Sequence, residues 1–240
     1  MKVIVAQNYQ QLSQHGAQII ADVVKSNPNA VLGLATGTSP IGIYKNLIQM
    51  CNNGQISFAN VKTVNLDEYV GLDGTHPQSY RFFMNDNLFD HVDINKSNTF
   101  VPNGVAQDLA TECARYTSLV ESIPQDIQLL GIGSNGHIAF NEPGTSFDST
   151  THVVSLTENT IKDNSRLFSS INEVPTQALS MGIQNIMGAK RILIVANGAN
   201  KAQAVWNMIN GPVTEDCPAS ILQKHPDVTV IVDKDAASLL

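Results

Sequence analysis

Residues 126–144 read DIQLLGIGSNGHIAFNEPG, a short apolar run followed by a loop that contains three glycines, a histidine and a carboxylate. The apolar part, residues 126–132, is typical of a strand in a sheet that is buried on both faces. The glycines let the backbone that follows turn sharply or approach a ligand closely. His137 and Glu142 are therefore predicted to lie on a constrained loop at the carboxyl end of a central strand.

The glycines of this loop formally match the dinucleotide-binding fingerprint, as Gly131-x-Gly133-x-x-Gly136. That fingerprint also needs a long helix that opens at the third glycine and an acidic residue at the end of the next strand. Here Pro143-Gly144 interrupts the segment about two turns later, which leaves no room for the helix. We therefore expect no nicotinamide or flavin cofactor.

Outward from this loop, apolar runs alternate with helical segments along the whole chain. Strands are expected at 2–6, 30–35, 61–66, 99–101, 126–132, 152–156, 191–196 and 228–232. Helices are expected at 9–25, 41–50, 77–88, 106–122, 176–187 and 202–209, with a polar, partly helical segment at 157–168. This alternation predicts an α/β fold: a single domain over residues 1–240 with a mostly parallel, open, Rossmann-like sheet and helices on both faces.

The composition is that of an ordinary globular protein, with 42% hydrophobic and 15% charged residues among 240. A net charge of -7, without any basic run, argues against a nucleic-acid partner. Three cysteines without paired metal spacing favour free thiols in a reducing compartment. The N-terminus turns polar too soon for a signal peptide and no apolar run could span a bilayer, so we expect a cytoplasmic protein without a membrane partner.

Two polar turns, each between a predicted strand and a predicted helix, are candidate phosphate sites. The turn at 36–39 (Thr-Gly-Thr-Ser) offers hydroxyls and unpaired amides at the positive end of a helix. An ordinary Ser/Thr helix cap is the alternative. The turn at 197–201 places Lys201 in the first turn of a helix, where a cation is unfavourable unless an anion offsets it. Arg166 is a candidate third contact, although a lone arginine is usually a solvated side chain.

Candidate acid and base groups also follow predicted strands. Asp67 and Glu68 are adjacent at a strand end, so their side chains should point to opposite sides and only one can face a shared site. If Asp67 faces it, burial would raise its pKa towards the range of a general base; an exposed strand end is the alternative. His137 could be oriented by a hydrogen bond to Glu142, or it could be a structural histidine.

Other chemistries find no support in the sequence. A metal site needs a third ligand, and none stands at a recognisable spacing from the histidine. A serine nucleophile needs a Gly-x-Ser-x-Gly elbow, which does not occur. The remaining combination of phosphate turns, a carboxylate base and an oriented histidine predicts proton transfer on a small phosphorylated compound.

Two motifs, LDEYVG at 66–71 and GHIAFNEPG at 136–144, closely resemble the glucosamine-6-phosphate deaminase family. The likeness runs through the whole chain and includes the segments at 36–40, 164–166 and 200–201. The histidine-glutamate stretch is highly specific, whereas the threonine-glycine turn is shared with related sugar-phosphate enzymes.

The resemblance implies an enzyme of amino-sugar catabolism that converts glucosamine 6-phosphate and water to fructose 6-phosphate and ammonia without a cofactor or metal. It implies that His137, held by Glu142, assists ring opening and that Asp67 moves the C2 proton to C1 through an enolamine. It also implies a mobile lid at about 157–175. The implied substrate-binding residues are Thr36, Gly37, Thr38, Ser39, Gly136, Arg166 and Lys201.

Three features depart from the family pattern. Asn135, which the resemblance places among the catalytic residues, stands where many members carry an aspartate; an asparagine can hold the histidine ring but brings no charge. His152 and Val154 occupy positions where regulated members have basic residues, and the chain stops soon after its last strand. We therefore expect a non-allosteric enzyme that is a monomer or a small homo-oligomer.

Two other functions remain as alternatives. A 6-phosphogluconolactonase has a similar fold and phosphate turn but performs hydrolysis, and the motifs at 66–71 and 136–144 argue against it. A non-catalytic sugar-phosphate sensor of a transcription regulator would need a DNA-binding helix pair, whereas this chain spends its first residues on a predicted strand.

Overall fold

A computed structural model of the protein describes residues 1–156, 168, 170 and 173–240. All of the predicted segment at 157–168 except residue 168, and most of the predicted lid at 157–175, lie outside these described residues. The strands of the described part are β1 (Lys2–Ala6), β2 (Val31–Leu34), β3 (Lys62–Asn65), β4 (Asp67–Tyr69), β5 (Thr99–Phe100), β6 (Ile127–Gly131), β7 (His152–Ser155), β8 (Gln177–Ser180), β9 (Ile192–Ala196) and β10 (Val228–Asp233).

Seven of these strands form one sheet, in the order β1-β10-β9-β6-β2-β3-β5, and every pair in it is parallel. All five residues of β9 and four of the five in β6 are buried. Since consecutive strand residues point to opposite faces, both faces of the sheet are covered at its centre. The predicted α/β fold with a mostly parallel sheet is confirmed.

The helices of the described part are α1 (Tyr9–Ser26), α2 (Ile41–Asn52), α3 (Tyr80–Asn87), α4 (Leu109–Ser122), α5 (Ile183–Met187) and α6 (Ala202–Asn210), with 3₁₀ turns at Phe89–His91, Lys96–Asn98, Ala199–Lys201 and Pro218–Lys224. The side chains of Asn8, Ser79 and Asp108 accept backbone N–H bonds at the starts of α1, α3 and α4. Helix α2 is different, because it begins after Pro40, whose side chain accepts no hydrogen bond. No helix in the described ranges is both long and apolar enough to cross a membrane.

One predicted helix is wrong. The segment 176–187 contains a strand, β8, and only the short helix α5 after it. β8 is the middle strand of a second, antiparallel sheet in the order β4-β8-β7. Three consecutive residues of β8 are buried, and so short an apolar run does not distinguish strand from helix by its period. Pairing with two distant strands decided its conformation.

The chain passes between the two sheets at Leu66. The N–H of Leu66 donates to the carbonyl of Leu34 in β2 (3.3 Å), and its carbonyl accepts the N–H of Met181, just after β8 (2.7 Å). Asp67, the next residue, therefore lies where the large sheet meets the small one. The strand predicted at 61–66 is thus followed immediately by a second strand in another sheet, which its sequence did not indicate.

A close approach within the large sheet gives a prediction about stability. A Cβ added to Gly33 in β2 would lie 1.9 Å from Oε1 of Gln128 in β6, a fully buried side chain. We expect Gly33→Ala to lower the free energy of unfolding by about 1–3 kcal/mol, because the glutamine must leave its position in a packed interior. Gly131→Ala is the matched control, since no atom lies within 4 Å of its added Cβ; equal urea midpoints for the two variants would contradict the prediction.

Candidate active site

A cavity of about 410 Å³ opens at the carboxyl ends of the parallel strands. Its walls are formed by Ala35, Thr36, Gly37, Thr38, Ser39, Leu66, Asp67, Tyr80, Gly131, Ile132, Gly133, Ser134, His137, Ala139, Phe140, Asn200 and Lys201. Each of the four polar clusters that the sequence placed after strands contributes to this wall. This edge of an open parallel sheet is the usual place for a ligand.

The first turn presents backbone N–H groups to the cavity. Gly37 has φ +87°, a conformation that glycine adopts without strain. In the described part of the chain, the N–H groups of Gly37, Thr38 and Ser39 have no acceptor. The alternative of a Ser/Thr helix cap is not what the structure has, because α2 has no side-chain cap from its own N-cap residue. Unpaired amides before a helix are well suited to an anion.

The second turn carries Lys201, a residue of the cavity wall. Gly198 (φ +89°) donates its N–H to both carboxylate oxygens of Asp233, at 3.0 and 3.1 Å, which fixes the turn before Lys201. No carboxylate of the described residues forms an ion pair with Lys201. Desolvation by burial lowers the pKa of this half-buried ammonium. An anionic ligand in the cavity would offset the solvation that this ammonium loses on burial.

Asp67 and its neighbour point to opposite sides, as predicted. Asp67 faces the cavity, while Glu68 turns away and accepts the N–H groups of Tyr80 (2.8 Å) and Arg81 (3.0 Å) at the start of α3. Asp67 is only 7% exposed, and its Oδ1 makes no hydrogen bond within the described part of the chain. Burial, with a smaller contribution from the charge of Glu68, raises the pKa of Asp67 from 3.8 to about 8. Such a carboxyl is poised to exchange a proton near neutral pH.

His137 lies beside Glu142, as the sequence predicted. Nδ1 of His137 is 3.2 Å from Oε1 of Glu142, within ion-pair distance although not aligned as a good hydrogen bond. The imidazole is the main cause that lowers the pKa of Glu142, so the carboxylate stays ionised beside the ring. Catalytic hydrogen bonds of this kind often tighten only when substrate binds.

The side chain of Asn135 is hydrogen-bonded to Glu142 and to the backbone of the loop. Its Nδ2 donates to Oε2 of Glu142 (2.6 Å), and its Oδ1 accepts the backbone N–H of His137 (3.2 Å). The amide group therefore orients the carboxylate and the loop, and makes no hydrogen bond to the imidazole. An uncharged donor also avoids placing a second negative charge beside Glu142.

Three predicted residues, Asn135, Gly136 and Glu142, do not line the cavity, and one lies outside the described residues. Gly136 is buried behind the loop, where an added Cβ would meet Sγ of Cys217 at 2.6 Å; its φ of +88° shapes the turn before His137. Glu142 lies behind His137, with its Oε1 3.2 Å from Nδ1 of the ring, and is not part of the wall. Arg166 lies outside the described residues.

An aromatic wall escaped the sequence analysis. Tyr80 packs against Tyr69, with 4.7 Å between ring centroids, and is stacked on Phe140 at 6.2 Å. Tyr80 and Phe140 line the cavity, as do Ser134, Ala139 and Asn200, which were also not singled out. Residues 134, 139 and 140 lie inside the central loop, so the length of that loop was the sequence signal that could have identified them as part of the cavity wall. No sequence signal identifies Tyr80 in this way, because α3 is held at the cavity by the hydrogen bonds of its first residues to Glu68.

The described residues contain no group of three or more His, Cys, Asp or Glu side chains that could hold a metal ion. The free cysteines, at 51, 113 and 217, form no disulfide.

Comparison with known proteins defines the family. Residues 5–231 match the family described as glucosamine-6-phosphate isomerases/6-phosphogluconolactonase, and the chain belongs to this family. A glucosamine-6-phosphate deaminase 1 of Bacillus subtilis is 55% identical over 240 residues, covering 100% of this chain and 99% of the relative. A glucosamine-6-phosphate deaminase of Thermoanaerobacter pseudethanolicus is 52% identical over 241 residues, covering 100% of this chain and 95% of that protein.

Solved structures agree with this assignment. One described as a monomeric glucosamine-6-phosphate deaminase superposes with a TM-score of 0.97 at 55% identity and covers both chains completely. The 6-phosphogluconolactonase of Trypanosoma brucei has a TM-score of 0.80 at 18% identity, covering 100% of this chain and 98% of its own. At that identity the likeness shows the shared fold alone.

The raised pKa of Asp67 predicts how stability depends on pH. Since the folded protein holds this proton more tightly than the unfolded chain, Asp67 makes the free energy of unfolding fall as pH rises from about 4 to about 8. Relative to Asp67→Asn, which cannot titrate, wild-type protein should lose up to about 1.4 kcal/mol of stability per pH unit in this window. Urea unfolding of both proteins at several pH values measures the difference; a difference that stays constant with pH would contradict the burial of an ionisable group.

Proposed function

We propose that this protein is a glucosamine-6-phosphate deaminase, which converts D-glucosamine 6-phosphate and water to D-fructose 6-phosphate and ammonia. Full-length relatives that carry this name, at 52% and 55% identity, support the assignment. The observation that carries it is the position of Asp67: a buried carboxyl whose Oδ1 has no hydrogen bond among the described residues, in the same cavity as Lys201, which forms no ion pair with them. This pair of features suits proton abstraction from a phosphorylated sugar, with Asp67 as the base and Lys201 as a phosphate ligand.

The phosphate of the substrate binds between the two polar turns. The unpaired N–H groups of Gly37, Thr38 and Ser39 surround it from one side, with the hydroxyl of Thr36 beside them, and the ammonium of Lys201 neutralises it from the other. Oγ of Ser39 lies 3.4 Å from Oδ1 of Asn197 in the second turn, so the two turns are close neighbours. We retain Arg166 as a third phosphate ligand from the family resemblance.

Ring opening uses the histidine. His137 delivers a proton to the ring oxygen as the bond between that oxygen and C1 breaks, and it takes up the proton of the C1 hydroxyl, whose oxygen becomes the aldehyde oxygen. Glu142 stabilises the positive charge that the imidazole carries before this transfer, and Asn135 keeps Glu142 in place. We assign these three residues to one catalytic unit.

Isomerisation and loss of the amine use Asp67. Its carboxylate removes the proton from C2 of the open-chain sugar while His137 returns a proton to the oxygen on C1, which gives an enolamine. The carboxyl group then gives its proton to C1 as the nitrogen gives one up to His137, which leaves an imine at C2. Water adds to this imine, ammonia leaves, and the ketone of fructose 6-phosphate remains. The aromatic side chains of Tyr80 and Phe140 shield the carboxyl from bulk water and so help to keep its pKa high.

We propose that the enzyme works in the cytoplasm as a monomer over a single domain of residues 1–240, without allosteric activation. A solved relative that is described as monomeric supports the oligomeric state. The lid at about 157–175 remains part of this proposal on the family resemblance. Hyperbolic rate curves that N-acetylglucosamine 6-phosphate does not alter are expected; sigmoidal curves would contradict the absence of allostery.

The proposed reaction predicts equal amounts of two products. Purified protein with glucosamine 6-phosphate should release ammonia and form fructose 6-phosphate in a 1:1 ratio, which two separate coupled assays measure. Hydrolysis of 6-phosphogluconolactone at a comparable rate would instead favour the lactonase. Binding of the sugar phosphate by calorimetry without turnover would favour a sensor, and either result would overturn the proposed function.

A further inference from the structure

One tyrosine that does not line the cavity is hydrogen-bonded to the backbone of the first polar turn, residues 36–39. The hydroxyl of Tyr9, the first residue of α1, lies 3.0 Å from the carbonyl of Thr38 and 3.1 Å from that of Ser39, and its hydrogen is shared between these two acceptors. The same oxygen accepts the N–H of Gly42 at 2.8 Å. Tyr9 does not line the cavity.

These contacts fix the direction of the peptide groups in the turn. Because the carbonyls of Thr38 and Ser39 point out of the cavity towards Tyr9, the turn is held with its unpaired N–H groups free for a ligand on the other side. Without this hydroxyl, the carbonyl of Thr38 would keep only the N–H of Ile41, at 3.4 Å, as a donor among the described residues, and the carbonyl of Ser39 would lose the donor that Tyr9 provides.

The hydroxyl also caps α2 from another helix. The first turn of an α-helix leaves N–H groups without partners inside the helix, and α2 has no cap from its own N-cap residue, Pro40. Tyr9 supplies the acceptor for one of these groups, at Gly42. It therefore joins the turn and the start of the helix, whose positive end favours an anion.

The packing of α1 on α2 brings the hydroxyl within reach. A Cβ added to Gly42 would lie 3.1 Å from Cε1 of Tyr9 and 2.2 Å from Oγ of Ser13. Only the absence of a side chain at Gly42 allows α1 to approach so closely. The ring of Tyr9 is half-buried there, and hydrogen bonds to Thr38, Ser39 and Gly42 fix the direction of its hydroxyl.

We infer that Tyr9 is a positioning residue for substrate phosphate, acting through the backbone of the turn at 36–39. This inference rests on the proposed function, in which that turn binds the phosphate of the sugar. Tyr9 touches no reacting atom, so its contribution belongs to binding rather than to the chemical step.

The test is Tyr9→Phe, which removes one oxygen and keeps the packing of the ring. The KM for glucosamine 6-phosphate and the inhibition constant of inorganic phosphate should both rise by roughly three- to tenfold, the value of one net hydrogen bond. The kcat should stay within about twofold, since Asp67 and His137 are untouched. An unchanged KM, or a fall in kcat without a change in KM, would overturn the inference.

Asn8→Ala is the matched control. Asn8 precedes Tyr9 and caps α1 by accepting the N–H of Gln11 at 2.9 Å, so its loss weakens the same end of the helix without removing the hydroxyl. Its KM and phosphate inhibition constant should match wild type, and an equal rise in both variants would show that general loosening of α1 explains the effect. If wild-type protein releases no ammonia, the proposed function fails separately, and calorimetry with inorganic phosphate still decides the role of Tyr9: weaker binding by Tyr9→Phe supports it, and equal binding, or none by wild type, overturns it.

Discussion

Leu66 links the two sheets through its backbone hydrogen bonds, and the position of the candidate catalytic carboxyl depends on this. Its N–H donates a hydrogen bond to Leu34 in β2 of the parallel sheet, and its carbonyl accepts one from Met181, the residue after β8 of the antiparallel sheet. The following residue, Asp67, is consequently enclosed by two layers of structure rather than exposed at a strand end. Glu68, one residue further, faces the other way and binds the start of α3, which brings Tyr80 over the same cavity.

The resulting site holds two groups that would be more stable in water. Asp67 is buried with an oxygen that has no hydrogen-bond partner among the described residues, and Lys201 is half-buried with no carboxylate partner among them. Both features lower the stability of the folded protein and raise its affinity for the right ligand. A phosphorylated amino sugar offers an anion to the lysine and a weakly acidic C–H to the carboxylate. Substrate would therefore give each of these two groups a partner that it lacks among the described residues.

Much of the fold followed from local pattern. The strand at 2–6 was predicted to the residue, and the other strands of the parallel sheet and the helices other than α5 were placed within about three residues, because short apolar runs alternate with helical segments there. Gln177–Ser180 was predicted as a helix because four residues carry no clear period. The partners that made it a strand, β4 and β7, are distant in sequence.

The candidate site likewise contains residues that the sequence identified and contacts that it did not. Asp67, His137, Glu142 and Lys201 were found because each follows a recognisable strand or lies in a glycine-rich loop. The contact of Asn135 with a carboxylate rather than with a ring, and the contacts of Tyr9 and Tyr80, depend on side-chain directions and helix packing. A sequence pattern at a single element carries no information about these long-range contacts.

The account depends most directly on Asp67 as the group that removes the C2 proton. Glucosamine 6-phosphate with deuterium at C2 tests this, by following the deuterium into C1 of the product or into water by NMR. Wild-type enzyme should remove it, whereas Asp67→Asn should remove it at least about 10²-fold more slowly while inorganic phosphate still binds with unchanged affinity. Loss of the deuterium at near wild-type rate from Asp67→Asn would show that another group is the base.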